Sequence, residues 1–196
     1  MRPEWGIEAH DILRPPELEA TLRLRNDTGF DPLSQPLFWE YLVARQLGGD
    51  ITAHKALHDV EVTIWDRVCR AEVKYSTAFW MTYRPIRGKD WSRPSFKWAL
   101  PRGNSGKSGV DAIVLVGREG DRWFFWAVPA SEVSASCPSI TACAPNARSA
   151  TGWSKWDRWQ VPWDALLPTF AAICHNRYDQ KHRQRNAATT RRTRKG

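Results

Sequence analysis

Two successive stretches in the first half of the chain alternate apolar and polar residues. Val60, Val62 and Ile64 are interleaved with Asp59, Glu61 and Thr63, and Ala71, Val73 and Tyr75 with Glu72 and Lys74. A period of two is that of a strand with one buried face, so the pattern predicts a pair of strands back to back. Upstream, Leu37 to Leu47 reads as a helix. Ser34 is positioned to cap it, Pro36 lies in its first turn, Gly48-Gly49 stop it, and Phe38, Leu42 and Leu47 fall near one stripe. Downstream, the nearly continuous apolar run Val110–Val116 predicts a strand inside a sheet. The turn Gly117–Asp121 leads from it into a fourth strand, Arg122–Val128, ended by Pro129.

Between these elements the pattern weakens. Trp80–Gly109 reads as a long polar and aromatic excursion, and Ser131–Gly152, rich in Ser, Ala, Pro and Cys, as a loop. Pro15-Pro16 can start a short helix over Glu17–Arg25, ahead of the Asn26–Gly29 break, and Asp164 opens a short apolar helix over Ala165–Ile173. The order helix, strand, strand, excursion, strand, strand predicts an α/β or α+β core, with no internal repeat. The expected organisation is an N-terminal arm over 1–31, one catalytic domain over 32–176 and a basic tail over 177–196.

Composition narrows the class. Of the 196 residues, 42% are hydrophobic and 26% charged, enough apolar material for a packed core. No apolar run approaches the about 18 residues of a spanning helix, and Met1–Gly6 lacks the apolar middle of a secretory leader, so a soluble cytoplasmic protein with no membrane partner is expected. The formal charge is +8, but Arg177–Gly196 holds eight Lys/Arg against one Asp, and the remainder is nearly balanced. A run such as Arg191-Arg192-Thr193-Arg194-Lys195 is expected to repel itself into an extended arm suited to a phosphate backbone; the plainer reading is a solvated tail. Cys69, Cys137, Cys143 and Cys174 lack the spacing of a disulfide framework or a CxxC knuckle, so ordinary reduced thiols are expected rather than zinc ligands.

The chemistry centres on the alternating block. Side chains two apart on a strand share a face, so Glu72 and Lys74 project together, and a hairpin brings Asp59 or Glu61 beside them. Phosphodiester hydrolysis needs oxygen ligands for a hard cation, an activated water and positive charge near the phosphorus. Asp59 and Glu72 offer the ligands, Lys74 the charge, and Glu40 on the preceding helix an outer ligand.

The arrangement His58-Asp59, a spacer of twelve residues, then Glu72-Val73-Lys74 resembles the PD-(D/E)XK nuclease superfamily, and looks closest to its smaller restriction, homing and junction-resolving branches. The likeness spans residues 37–130; His58 stands where the family has proline. The resemblance implies a restriction-endonuclease-like core, a mixed central β-sheet flanked by helices. It also implies Mg2+ (with Mn2+ able to substitute) at Asp59, Glu72 and the Val73 carbonyl, and catalysis by Asp59, Glu72, Lys74 and Glu40.

The expected activity is DNA endonuclease cleavage, sequence-specific and carried out by a homodimer. The alternatives are a structure-specific nuclease such as a Holliday-junction resolvase, and a non-catalytic nucleic-acid-binding protein. Candidate DNA contacts are Arg102, Lys107, Lys155, Arg158, Arg191, Arg192, Arg194 and Lys195. Arg102–Gly109 superficially suggests a phosphate loop, but its spacing is wrong and a strand follows it, so no nucleotide cofactor is expected. His54 and His58, spaced like metal ligands, are read as surface or loop residues, and Asp111 as a strand-start cap or a liner of the site. Trp153, Trp156, Trp159 and Trp163 fall at helix-like spacing and are read chiefly as core, with stacking on unpaired bases as the alternative.

Overall fold

The two alternating stretches pair as a hairpin in the middle of a mixed sheet. In the computed structural model, residues 6–52, 58–83, 91–100, 109–134, 136–143 and 155–193 are described. In chain order the elements are α1 (Ala9–Ile12), α2 (Pro15–Thr28), α3 (Pro36–Leu47), β1 (Asp50–Ile51), β2 (Val60–Ile64), β3 (Arg67–Thr77), β4 (Phe79–Tyr83), β5 (Trp91–Ala99), β6 (Ala112–Glu119), β7 (Arg122–Pro129), β8 (Ser139–Cys143), β9 (Gln160–Val161) and α4 (Leu166–Thr193).

A six-stranded sheet runs in the order β1-β2-β3-β6-β7-β9, and β4-β5-β8 form a second, three-stranded sheet. β3 and β6 pair in parallel and the other pairings are antiparallel, so the fold is a mixed α+β architecture. The turn between β2 and β3 is Trp65-Asp66, both at positive φ (49° and 60°), which gives the tight two-residue reversal that matches strand twist. It sets the register Ile64↔Arg67, and so Glu61↔Arg70 and Val60↔Ala71.

Strands β6 and β7 are buried on both faces and divide two cores. Ala112, Val114, Val116, Trp123, Phe125 and Ala127 face the helical side, where Trp39, Leu42, Leu47, Leu166 and Phe170 pack on them. Ile113, Leu115, Phe124, Trp126 and Val128 face the second sheet, meeting Phe96, Trp98, Ile140 and Ala142. Helices therefore cover one face of the main sheet and strands the other. Gly117 permits this contact, since a Cβ there would stand 2.9 Å from the Phe96 ring.

The helix boundaries have local causes. α2 begins at Pro15, with the Glu17 carboxylate accepting from the Arg14 N–H (2.9 Å), and ends at Gly29 at φ 72°. It docks through Arg45, which reaches the Glu17 carboxylate at 2.5 Å and the Ile12 carbonyl at 2.6 Å, so the N-terminal residues described pack on the domain. Ser34 does not cap α3. It lies in a 3-10 turn over Pro32–Ser34 capped by Asp31, and Gln35 takes the N-cap position. Gly48, at φ 68°, ends the helix as expected.

Three expectations are corrected. The excursion Trp80–Gly109 supplies β4 and β5, and the stretch read as a loop after Ser131 supplies β8. The tryptophan stripe, read chiefly as core, has Trp153 outside the described residues. Asp157–Trp159 is a 3-10 turn, Trp156 is buried in the core beneath the second sheet, and Trp163 packs on Phe125 (centroids 4.7 Å apart) in the helical core. That segment thus crosses from one core to the other. The helix expected over 165–173 runs on to Thr193, taking the basic stretch with it in place of an extended arm. Its docked first half nucleates the helix, and the Gln, Lys, Arg and Ala residues beyond propagate it at little cost. Among the described residues, no helix is long and apolar enough to cross a membrane.

Candidate active site

β3 changes partner at Ala71. Up to that residue it pairs with β2, and from it onwards with β6, placing Glu72 opposite Ile113 and Lys74 opposite Leu115. Ala71 and Val73 face the helical core, so Glu72 and Lys74 project from the opposite face, as the alternation predicts. Beyond Ala71 the edge left by β2 is closed by Asp59, whose Oδ2 accepts the Val73 N–H at 2.7 Å. Asp59 is itself fixed by its backbone: its N–H donates to the Ala71 carbonyl (3.0 Å) and its carbonyl accepts from Thr52 N–H (2.9 Å).

Three charged groups meet here. Lys74 Nζ is in direct contact with Glu72 Oε1 and lies 3.8 Å from Asp59 Oδ2. Glu72 is 6% exposed, whereas Lys74 and Asp59 each keep about a quarter of their side-chain surface in solvent. Burial pushes the Glu72 carboxyl above the ordinary carboxylate range, against the opposing pull of Lys74. The result is an ammonium held between two carboxylates, the more buried of which is the harder to ionise.

Asp59 and Glu61, the two carboxylates that spacing offers beside Glu72, differ in their contacts. Glu61 Oε1 is taken by His58 Nε2 and by Arg70 Nε, each at 2.9 Å, and its carboxyl is lowered chiefly by Arg70. Asp59 is the residue that stands beside Lys74. Arg70 carries no signal in the sequence; only the hairpin register, once the turn is known to hold two residues, puts it opposite Glu61. A cleft of about 460 Å³ opens alongside, lined by Gly48, Thr52, His58, Glu61, Thr63 and Val68, so the site groups nearest it are His58 and Glu61. Gly49 meets that cleft at a close approach to the Glu61 backbone that leaves no room for a Cβ.

Glu40 is half-buried on α3, the helix whose Trp39 stacks on Tyr75 at 6.2 Å. Asp111 is held by structure: its Oδ2 accepts the Arg70 N–H (2.8 Å) and its Oδ1 pairs with Arg177 Nη1 (2.7 Å). Lys155 lies over the Trp156 ring at 4.3 Å, and Arg158 pairs with Glu132 at 2.5 Å. Arg191 and Arg192 lie on the backbone of α4. Arg102, Lys107, Arg194, Lys195 and His54 lie outside the described residues.

No family model and no curated protein matches the chain. Among solved structures it is similar to that of a bacterial homing endonuclease, I-Ssp6803I. The TM-score is 0.45 and the identity 12%, over 79% of this chain and 96% of that one.

Proposed function

We propose that the protein is a metal-dependent DNA endonuclease of the PD-(D/E)XK type, with Asp59, Glu72 and Lys74 as its reacting groups. The observation that carries this reading is the convergence of two carboxylates on one lysine at the point where β3 leaves β2 for β6. The donor set is one a hard divalent cation takes, two carboxylates that each keep a second oxygen beyond the one nearest Lys74. The N–H and C=O of a strand residue face the same neighbour, so the Val73 carbonyl lies on the Asp59 side and completes the set. Magnesium, or manganese in its place, would supply Lewis-acid polarisation of the phosphoryl oxygen when bound by Asp59, Glu72 and the Val73 carbonyl.

The remaining roles belong to the chain. Glu72 holds the Lys74 ammonium in position, and Lys74 either orients the attacking water or stabilises the charge developing on phosphorus. Asp59, locked by the Val73 amide, keeps a carboxylate at fixed distance from both. The basic half of α4, with Arg191 and Arg192, and the basic residues Arg102, Lys107, Lys155, Arg158, Arg194 and Lys195 grip the DNA backbone, and a two-fold pair of chains cuts both strands.

The test is cleavage of supercoiled plasmid, long linear DNA and a four-way junction, each with magnesium and with a chelator, by the parent and by Lys74→Ala. Discrete magnesium-dependent bands from the parent, and retained DNA binding without cutting by Lys74→Ala, support the reading. Junction-only cutting points to a resolvase. Equal cutting by the variant, or binding without any cleavage under several metals, refutes it.

A further inference from the structure

On the helical side of the sheet, away from Glu72 and Lys74, two cysteines from distant parts of the chain face one another. Cys69 on β3 is 4% exposed and Cys174 on α4 is 8% exposed. One sulfur of each and a carboxylate oxygen of Asp111, just before β6, lie within 4.8 Å of one another. A cleft of about 350 Å³, lined also by Arg67, Val68, Arg177 and Tyr178, gives access to the cluster.

We propose that Cys69, Cys174 and Asp111 form a binding site for a thiophilic divalent cation, zinc being the natural fit, that pins α4 to the main sheet. Two sulfurs and one carboxylate oxygen make a donor set that zinc takes in tetrahedral geometry. Bonds of about 2.0–2.3 Å put its ligand atoms about 3.3–3.8 Å apart. The present spacing needs only a small inward adjustment to reach this, and the cleft leaves the fourth position for a water. Charge also closes: two thiolates and one carboxylate carry three negative charges, which the cation and the adjoining Arg177 guanidinium balance.

Arg177 and the Arg70 amide already orient Asp111, the kind of outer support that fixes ligands before a metal arrives. Without the cation both thiols stay protonated. Burial is the first cause of the upward push on each, and the Cys174 thiol is raised further by its hydrogen bond with Cys69. Binding therefore releases a proton from each sulfur.

The experiment uses the full chain, reduced with a phosphine and freed of metal, then given one equivalent of zinc. Each of the four cysteines is followed by alkylation and peptide mass mapping. The expected result is that labelling of Cys69 and Cys174 slows roughly tenfold or more, while Cys137 and Cys143 label as before. Cadmium in place of zinc should give thiolate-to-metal absorption in the ultraviolet, lost in Cys174→Ser and kept in Cys137→Ser. Protection of Cys137 and Cys143 instead, no protection at all, or a Cys69–Cys174 disulfide persisting under the reductant would each overturn the site. The parent chain alone decides the alkylation result, so a poorly folding variant leaves the proposal open to refutation.

Discussion

Replacing Lys74 by methionine keeps the length of the stem but removes the ammonium from a nearly buried carboxylate. Breaking a buried pair from one side costs about 3–5 kcal/mol when the remaining charge has no escape. Glu72 has one, because it can take up a proton. At pH 7, neutralising a carboxyl of ordinary pKa near 4.3 costs about 3.7 kcal/mol, which caps the loss. Lys74 keeps 27% of its side-chain surface in solvent, so some of the pairing energy is already screened. Burial already raises the Glu72 carboxyl in the parent, so part of this cost is present there and the loss at pH 7 falls below the cap, at about 2–3 kcal/mol. At pH 5 the same neutralisation costs only about 1 kcal/mol, so the variant should approach the parent as the pH falls. Urea unfolding of parent, Lys74→Met, Glu72→Gln and the double variant at both pH values measures this. The double variant should lose little beyond Glu72→Gln at either pH, because the buried carboxylate is gone and Asp59 keeps the Val73 N–H and its solvent contact. A Lys74→Met loss that is the same at pH 5 and pH 7, or undiminished in the Glu72→Gln background, would refute the argument.

Other expectations concern the packing, the acid group and the basic helix. Trp126→Ala empties the core shared with Phe96 and Trp98, whose ring centroids lie 5.5 and 5.1 Å from it, and should cost about 3–5 kcal/mol in urea unfolding. Gly117→Ala drives a methyl into the Phe96 ring and should cost about 1–3 kcal/mol by the same measurement. Glu72 has its carboxyl raised by burial, so the stability tied to its protonated form is complete below the unfolded pKa and is lost as pH rises through the folded one. The parent should therefore weaken relative to Glu72→Gln as pH climbs above the ordinary carboxylate range, as read from melting curves. If Arg191 and Arg192 each neutralise a phosphate, Arg191→Gln with Arg192→Gln should reduce the slope of log affinity against log salt by about 2 in a DNA-binding titration.

Elements with a single unmistakable period were legible in the sequence. The hairpin, α3 and the pair β6–β7 follow directly from alternation, from an apolar stripe with its glycine stop and from a continuous apolar run. The second sheet was not, because its strands break the strand rules locally. β5 carries Pro94, opposite Trp80 in the register, and β8 is five residues of small and polar character, Ser139–Cys143. Their strand character comes from the partner core, through Phe96, Trp98 and Ile140, and not from their own pattern. The side chains of the proposed site follow the same alternation as the hairpin, with Glu72 and Lys74 on one strand face and Asp59 just before the start of the partner strand. Which of Asp59 and Glu61 stands beside Lys74 was open from spacing and turns on the contacts that Arg70 and His58 make with Glu61, neither of which carries a periodic signal. The cluster of Cys69, Asp111 and Cys174 draws on β3, the lead into β6 and α4, and only tertiary packing unites them.

The bond from the Val73 amide to Asp59 makes one hydrogen of the backbone a reporter on the carboxylate. Its neighbours along β3 are protected by strand ladders and exchange with solvent only when the sheet opens. The Val73 hydrogen is shielded by a side chain, so it should exchange, and its nitrogen resonance should move, whenever Asp59 is recruited elsewhere or substituted. A single cross-peak in a nuclear magnetic resonance spectrum thus reads the occupancy of this corner of the molecule in solution, without substrate and without turnover.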